Sequence, residues 1–375
     1  MKFIDEYSDK DLISKLAEQI SKLDVSANLM EVCGTHTMAI FKFGIRSLLP
    51  KGVKLLSGPG CPVCVTSAAD IDAMIKLSDI DNAIITTFGD MLRVPGSSGS
   101  LNDKKAAGAD VRVVYSPLDA IAVAKENGGR PVIFLGVGFE TTAPTIAATI
   151  IEAHEKGINN FYVYSAHKLI PPAIRVLLDA DEVHIDGFLL PGHVSVIIGE
   201  KPYEFIAKEF GIPAVIAGFE PVDIMESVYL LLKQIKGGAQ AEVGIEYSRA
   251  VKAAGNPKAK SVLSEVFETA PAEWRGLGII AHSGLDIKAK YSRFDAKIAF
   301  NIRPNYSSIR SSCSCGKILR GLMTPLDCKL FAKACTPEDP KGPCMVSTEG
   351  ACAAYYKYRG AGKGLPAGRQ VRGKG

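Results

Sequence analysis

Val53-Lys-Leu-Leu-Ser-Gly-Pro-Gly-Cys-Pro-Val-Cys-Val-Thr66 sets the reading of the fold. The apolar run Val53–Leu56 ends in a turn stiffened by Gly58, Pro59, Gly60 and Pro62, and a helical stretch, Ala68–Leu77, follows. Strand, tight turn and helix in that order form the repeating unit of a parallel α/β sheet. Cys61 and Cys64 lie inside the turn with two residues between them. A Cys-x-x-Cys pair between a strand and a helix in a reducing compartment reads as a dithiol/disulfide couple. The helix start favours thiolate, and the short spacing lets the pair close. Half of a zinc site is the other reading; it needs two more ligands at comparable spacing, and none follows nearby.

The same alternation extends in both directions. Residues 9–23 place apolar side chains at 12, 13, 16, 20 and 23, the spacing of one helix face, with Ser8 or Asp9 as cap. Leu29–Val32 reads as a strand ending at Cys33-Gly-Thr-His-Thr37, before a helical stretch through Leu49. A cysteine at such a strand end, near a helix N-terminus, sits where thiol pKa values are depressed. Strands follow at Asn82–Thr87, Val111–Tyr115, Pro131–Val137, Phe161–Ser165, Phe188–Leu190 and Pro213–Ala217. The helices between and after them fall at 70–77, 117–126, 143–154, 171–179, 202–210 and 220–235.

Several of these strands are apolar throughout, as in parallel sheets covered on both faces. The expected fold class is therefore α/β, with two parallel-sheet units meeting near residue 129. The expected divisions are 1–128, 129–240, a return segment with a cysteine-rich region over 241–358, and a Gly-rich basic tail, 359–375, whose composition predicts disorder. Ligands gather at the carboxyl ends of parallel strands, where Cys33 and Cys61/Cys64 lie.

Two further strand ends carry polar groups. Gly136-Val-Gly138-Phe-Glu-Thr-Thr142 lacks the third glycine of a dinucleotide fingerprint and the lysine of a phosphate loop. Its Glu140 sits beside a buried strand end, where a carboxylate is costly without a partner. Pro191-Gly-His-Val-Ser195 closes another apolar strand with His193. Taken alone, each of these reads as packing; taken together, they suggest a site.

Composition narrows the function classes. The 375 residues are 47% apolar and 22% charged, with a net charge of +4 and one Trp. No basic stripe interleaved with aromatics points to nucleic acid. No apolar run reaches membrane-spanning length. The opening Met1-Lys-Phe-Ile-Asp-Glu-Tyr7 turns acidic at once, unlike a signal peptide, so a cytoplasmic location is expected, where stable disulfides are rare. The nine cysteines segregate, three within the first 64 residues and six between 313 and 352. The latter, Cys313, Cys315, Cys328, Cys335, Cys344 and Cys352, have wide and uneven gaps that suit neither common zinc spacing nor common ferredoxin patterns. Zinc and an iron–sulfur cluster both stay open on spacing.

Five motifs in order resemble the HypD family of hydrogenase maturation proteins: Cys33-Gly-Thr-His-Thr37, Gly58-Pro-Gly-Cys-Pro-Val-Cys64, Gly138-Phe-Glu-Thr-Thr142, Pro191-Gly-His-Val-Ser195 and Cys344-Met-Val-Ser-Thr-Glu-Gly-Ala-Cys-Ala-Ala-Tyr-Tyr356. The resemblance implies two α/β domains around a cleft and a small region carrying a [4Fe-4S] cluster. It implies a redox-active scaffold, not a turnover enzyme, that builds the Fe(CN)2CO unit of [NiFe]-hydrogenases with HypC and the cyanide donor HypE. The hydrogenase large subunit is then an indirect partner, and the free protein a monomer. By the same resemblance Cys33 holds the iron together with a cysteine of HypC, His36 lies beside it, and Cys61/Cys64 form the redox dithiol. The family's ligand spacing of fourteen, six and sixteen residues maps onto Cys313, Cys328, Cys335 and Cys352. Cys315 and Cys344 are left spare, and Cys315 is able to replace Cys313. Thr35, Glu140, Thr141, Thr142 and His193 would line the cleft or dock the partner. Two other functions compete: a thiol/disulfide oxidoreductase reduced through an iron–sulfur cluster, and a zinc-stapled binding module.

Overall fold

The computed structural model describes residues 9–180, 182–238, 240–306 and 313–359. Residues 360–375, nearly all of the tail expected to be disordered, lie outside them. The first helix, Lys10–Leu23, is capped by Asp9, whose carboxylate accepts the Asp11 and Leu12 amides. It buries Leu16 and Ile20 against the helix Pro221–Gly237.

Among the described residues nine strands fall into two wholly parallel sheets. One contains β1 (Ala27–Glu31), β2 (Val53–Ser57), β7 (Gly187–Pro191), β8 (Ala214–Ala217) and β9 (Val243–Ile245), in the order β2-β1-β7-β8-β9. The other contains β3 (Ile84–Thr87), β4 (Asp110–Val113), β5 (Val132–Gly136) and β6 (Phe161–Ser165), in the order β4-β3-β5-β6. Central strands such as β5 and β7 are buried at every position. That burial is why they read as unbroken apolar runs.

The sheets do not follow the division expected at residue 129. β3 and β4 lie before it and β5 and β6 after it, yet all four share a sheet. The chain leaves the first sheet after β2, builds the whole second sheet, and returns at β7 to pair beside β1. A strand apolar on both faces carries no signal of which neighbour it pairs with, so the alternation of elements could not reveal this interleaving.

Other boundaries shift for local reasons. The stretch after Cys33 is two helices, Gly34–Lys42 and Ile45–Leu48, interrupted at Gly44 with φ +66°. Between 237 and 266 lie β9 and the helix Pro257–Val266, which Asn256 caps.

The return segment is a hairpin, β10 (Phe267–Trp274) and β11 (Gly278–Ile287), bulged between Ala270 and Ala272. It ties the sheets together. Trp274 is fully buried, donates from Nε1 to Ser283 Oγ at 2.8 Å, and stacks on Phe139 at the end of β5. A buried ion pair adds a second tie: Asp70, on the helix after the dithiol turn, meets Lys168, just past β6, at 3.3 Å. Tyr164 and Ser67 also donate to Asp70. Removing one partner of such a pair costs about 3–5 kcal/mol. Among the described residues no helix is long and apolar enough to cross a membrane.

Candidate functional site

The carboxyl edge of the five-stranded sheet carries three of the motifs, after β1, β2 and β7. β1 runs into Cys33, which is extended (φ −148°, ψ 124°) and caps the helix Gly34–Lys42. The His36 and Thr35 amides donate toward its sulfur, the arrangement that ordinarily stabilises thiolate. Burial outweighs them. It pushes the thiol up to about 12, with the Glu349 and Glu31 carboxylates adding to the rise. Glu31, fully buried, accepts the Cys33 amide at 3.1 Å and the Thr37 hydroxyl. Burial pushes its carboxyl up to about 8. Thr35 Oγ1 donates to Glu349 Oε1 at 2.8 Å, which closes the turn from the far end of the chain.

The dithiol turn is pressed onto the same edge. Gly34 donates to the Gly60 carbonyl at 2.8 Å, and a Cβ on Gly60 would stand 2.1 Å from the Cys33 nitrogen. Only glycine fits there. Cys61 caps the short helix Pro62–Val65, and its sulfur accepts the Cys64 amide at 3.3 Å. Both cysteines are buried, and burial drives the Cys64 thiol well up. The expectation of depressed thiol pKa values is therefore corrected for Cys33 and Cys64: desolvation outweighs the helix termini.

From Cys64 a series of sulfurs leads to the carboxyl-terminal cysteines. Cys64 contacts Cys344, Cys344 contacts Cys315, and Cys315 contacts both Cys352 and Cys313, the last at 3.0 Å. Cys313, Cys315, Cys328, Cys335 and Cys352 line one small cavity with Gly342. A Cβ on Gly342 would stand 2.4 Å from Cys313 Sγ. All nine cysteines are free thiols. Among the described residues no group of three or more His, Cys, Asp or Glu side chains stands in metal-holding geometry. Still, the donor set is soft, enclosed and sulfur-only, which fits a thiolate-bound iron–sulfur cluster. The four ligands expected from the sequence all reach this cavity, as does Cys315; Cys344 stands between it and the dithiol.

The remaining candidates occupy neighbouring strand ends. His36 is buried, bonded to the Gly218 carbonyl, and held down to about 4 by burial, hence neutral. His193, after β7, keeps an exposed side while its ring stacks on Phe219. Glu140, after β5, accepts the Ile170 amide at 3.0 Å through Oε1; its Oε2 is buried without a partner, and burial pushes the carboxyl up to about 7. Thr141 and Thr142 are half-buried. The Thr142 hydroxyl donates to the Phe139 carbonyl, closing the turn over Gly138.

Sequence reasoning singled out neither Glu31 nor Phe219, and took in Glu349 only as part of the Cys344–Tyr356 motif. Glu31 had a signal: it is a charge at the end of an apolar strand, the feature that singled out Glu140. Phe219 had none.

A family model described as HypD, "Hydrogenase formation hypA family", matches residues 9–359. The chain is 47% identical to hydrogenase maturation factor HypD2 of Bradyrhizobium diazoefficiens over 369 residues, covering 96% of this chain and 97% of that one. It is 47% identical to hydrogenase maturation factor HypD of Cupriavidus necator over 377 residues (98% and 99%). To HypD of Escherichia coli K12 it is 45% identical over 368 residues (96% and 98%). The chain therefore belongs to the HypD family of hydrogenase maturation proteins.

Proposed function

We propose that the chain is a redox-active scaffold of hydrogenase maturation on which iron is assembled with its cyanide and carbonyl ligands at Cys33, in a cytoplasmic complex with HypC and HypE. The observation that carries this reading is the meeting of Cys33, Cys61/Cys64 and His36 at one sheet edge, joined by contacting sulfurs to the cysteine-lined cavity.

The residues divide the work. Cys33 offers a soft thiolate to low-spin iron once the metal displaces its proton. The Thr35 and His36 amides at the helix start favour negative charge, suiting an anionic cargo. Cys61 and Cys64 exchange two electrons as they close and open. Cys313 or Cys315, with Cys328, Cys335 and Cys352, would hold a [4Fe-4S] cluster, which supplies electrons one at a time when bound. Cys344 keeps the sulfur path between them continuous.

A general disulfide oxidoreductase is the weaker reading. Its dithiol must meet partner proteins, whereas Cys61 and Cys64 are 3% and 0% exposed. It also has no use for Cys33.

The deciding experiment is infrared spectroscopy of the anaerobically purified complex with its small partner. Cyanide and carbonyl bands are expected in the native complex and absent in Cys33→Ala. Bands unchanged in the variant would move the iron off Cys33, and none in either sample would overturn the scaffold reading.

A further inference from the structure

β8 ends at Ala217, and the next two residues lie in none of the five motifs. The Gly218 carbonyl stands 2.8 Å from His36 Nε2. A carbonyl oxygen only accepts, so Nε2 carries the ring proton and Nδ1 keeps its lone pair. That Nδ1 is buried and meets no partner. An acceptor buried away from bulk water is costly unless a donor faces it.

Phe219 serves two imidazoles at once. Its ring stacks with His36 at 4.8 Å and 30°, and with His193 at 4.0 Å and 25°. Tyr247 meets it edge-on at 5.8 Å. One ring therefore contacts imidazoles from two different strand ends.

The Gly218-Phe219 segment is itself clamped. The Gly218 amide donates to Glu246 Oε2 at 2.8 Å, and the Glu220 amide donates to Asp223 Oδ2 at 3.1 Å. Arg249 grips Asp223 with two nitrogens and lies over the Tyr247 ring at 4.5 Å. A Cβ on Gly218 would stand 2.1 Å from Asp223 Oδ2, and one on Gly192, beside His193, 2.6 Å from the Ala217 carbonyl. Both turns are packed to the backbone.

We infer that Gly218-Phe219 is the positioning element of the Cys33 site: Gly218 fixes the tautomer of His36, Phe219 holds His36 and His193 against one ring, and His36 Nδ1 is presented as a hydrogen-bond acceptor. The inference rests on the reading of Cys33 as the assembly thiol. It also restricts the ligand chemistry: with its Nε2 proton given to Gly218 and a bare Nδ1, His36 cannot donate to a cyanide nitrogen. Its match is a donor, such as a protonated thiol or a water.

The test uses the full chain, reduced and anaerobic, with its six histidines labelled with 15N. Long-range proton–nitrogen spectra report each ring's tautomer, and single His→Gln variants assign His36 and His193. The expected result is Nε2 protonated and Nδ1 bare for His36. Phe219→Leu should shift the ring nitrogens of both histidines and weaken the infrared bands of the loaded complex, and Phe219→Tyr, which keeps the ring, should restore both. A proton on Nδ1 of His36 in the native chain would overturn the inference even if no Phe219 variant folds. So would imidazole signals unmoved by Phe219→Leu. Loss of the scaffold reading looks different: the native complex would lack infrared bands while the histidine signals stay as expected.

Discussion

At the scale of single residues, the site stores protons instead of charge. Glu31 and Glu246 are both pushed up to about 8, mainly by burial, and Glu140 to about 7. A carboxyl whose folded pKa is raised stabilises the fold while protonated and loses that contribution as pH climbs from the unfolded value through the folded one. The buried histidines His36 and His167, lowered to about 4 and about 3, act oppositely, and only below their ordinary value of 6.5. Between pH 6.5 and 8 the carboxyls act alone, so stability should fall as pH rises across that window. Glu31→Gln keeps an acceptor for the Cys33 amide and removes the titration. Urea unfolding at pH 6.5 and 8 should show about 2 kcal/mol less pH dependence in this variant than in the native chain. Equal slopes would mean that Glu31 is already ionised when folded.

At the scale of elements, glycine governs how turns meet. Gly60 lets the dithiol turn lie on the Cys33 backbone, where a Cβ would collide with main-chain atoms that cannot swing aside. Gly60→Ala should cost about 1–3 kcal/mol and open the two turns. Thermal unfolding and the alkylation rate of Cys33 would show it, with Gly128→Ala, which meets nothing within 4 Å, as control. An unchanged melting point would sink the close-packing argument.

Much at this scale was legible in the sequence. Apolar runs gave the central strands because both their faces are covered, and Cys33 and Cys61/Cys64 stood out because glycine and proline hold them at strand ends. Thiol ionisation was misread because a helix start is local and visible, whereas burial comes from residues far along the chain. Phe219 went unmarked for the same reason: a phenyl ring between histidines has no local pattern, and Glu349, though inside a quoted motif, shows nothing locally of its tie to Thr35.

At the scale of the whole molecule, the sheets are interleaved, not consecutive. A fragment of residues 1–128 holds β1 and β2 without β7, and β3 and β4 without β5. Each sheet is then cut beside a central strand, so the fragment should show no cooperative unfolding and no protected amides by hydrogen exchange. A folded fragment would refute the interleaved order.

The same topology bears on the order of synthesis. Cys33 emerges early, but the carboxylate that closes its turn, Glu349, lies 314 residues beyond Thr35. The helix Ala351–Arg359 packs back on the helix that Cys33 caps, with Phe41 against Tyr355 at 4.5 Å. During translation the Cys33 thiol is therefore uncovered long before its enclosure exists. Only a chain that has run through Ala351–Arg359 presents the closed turn, so one still short of that helix leaves the thiol open.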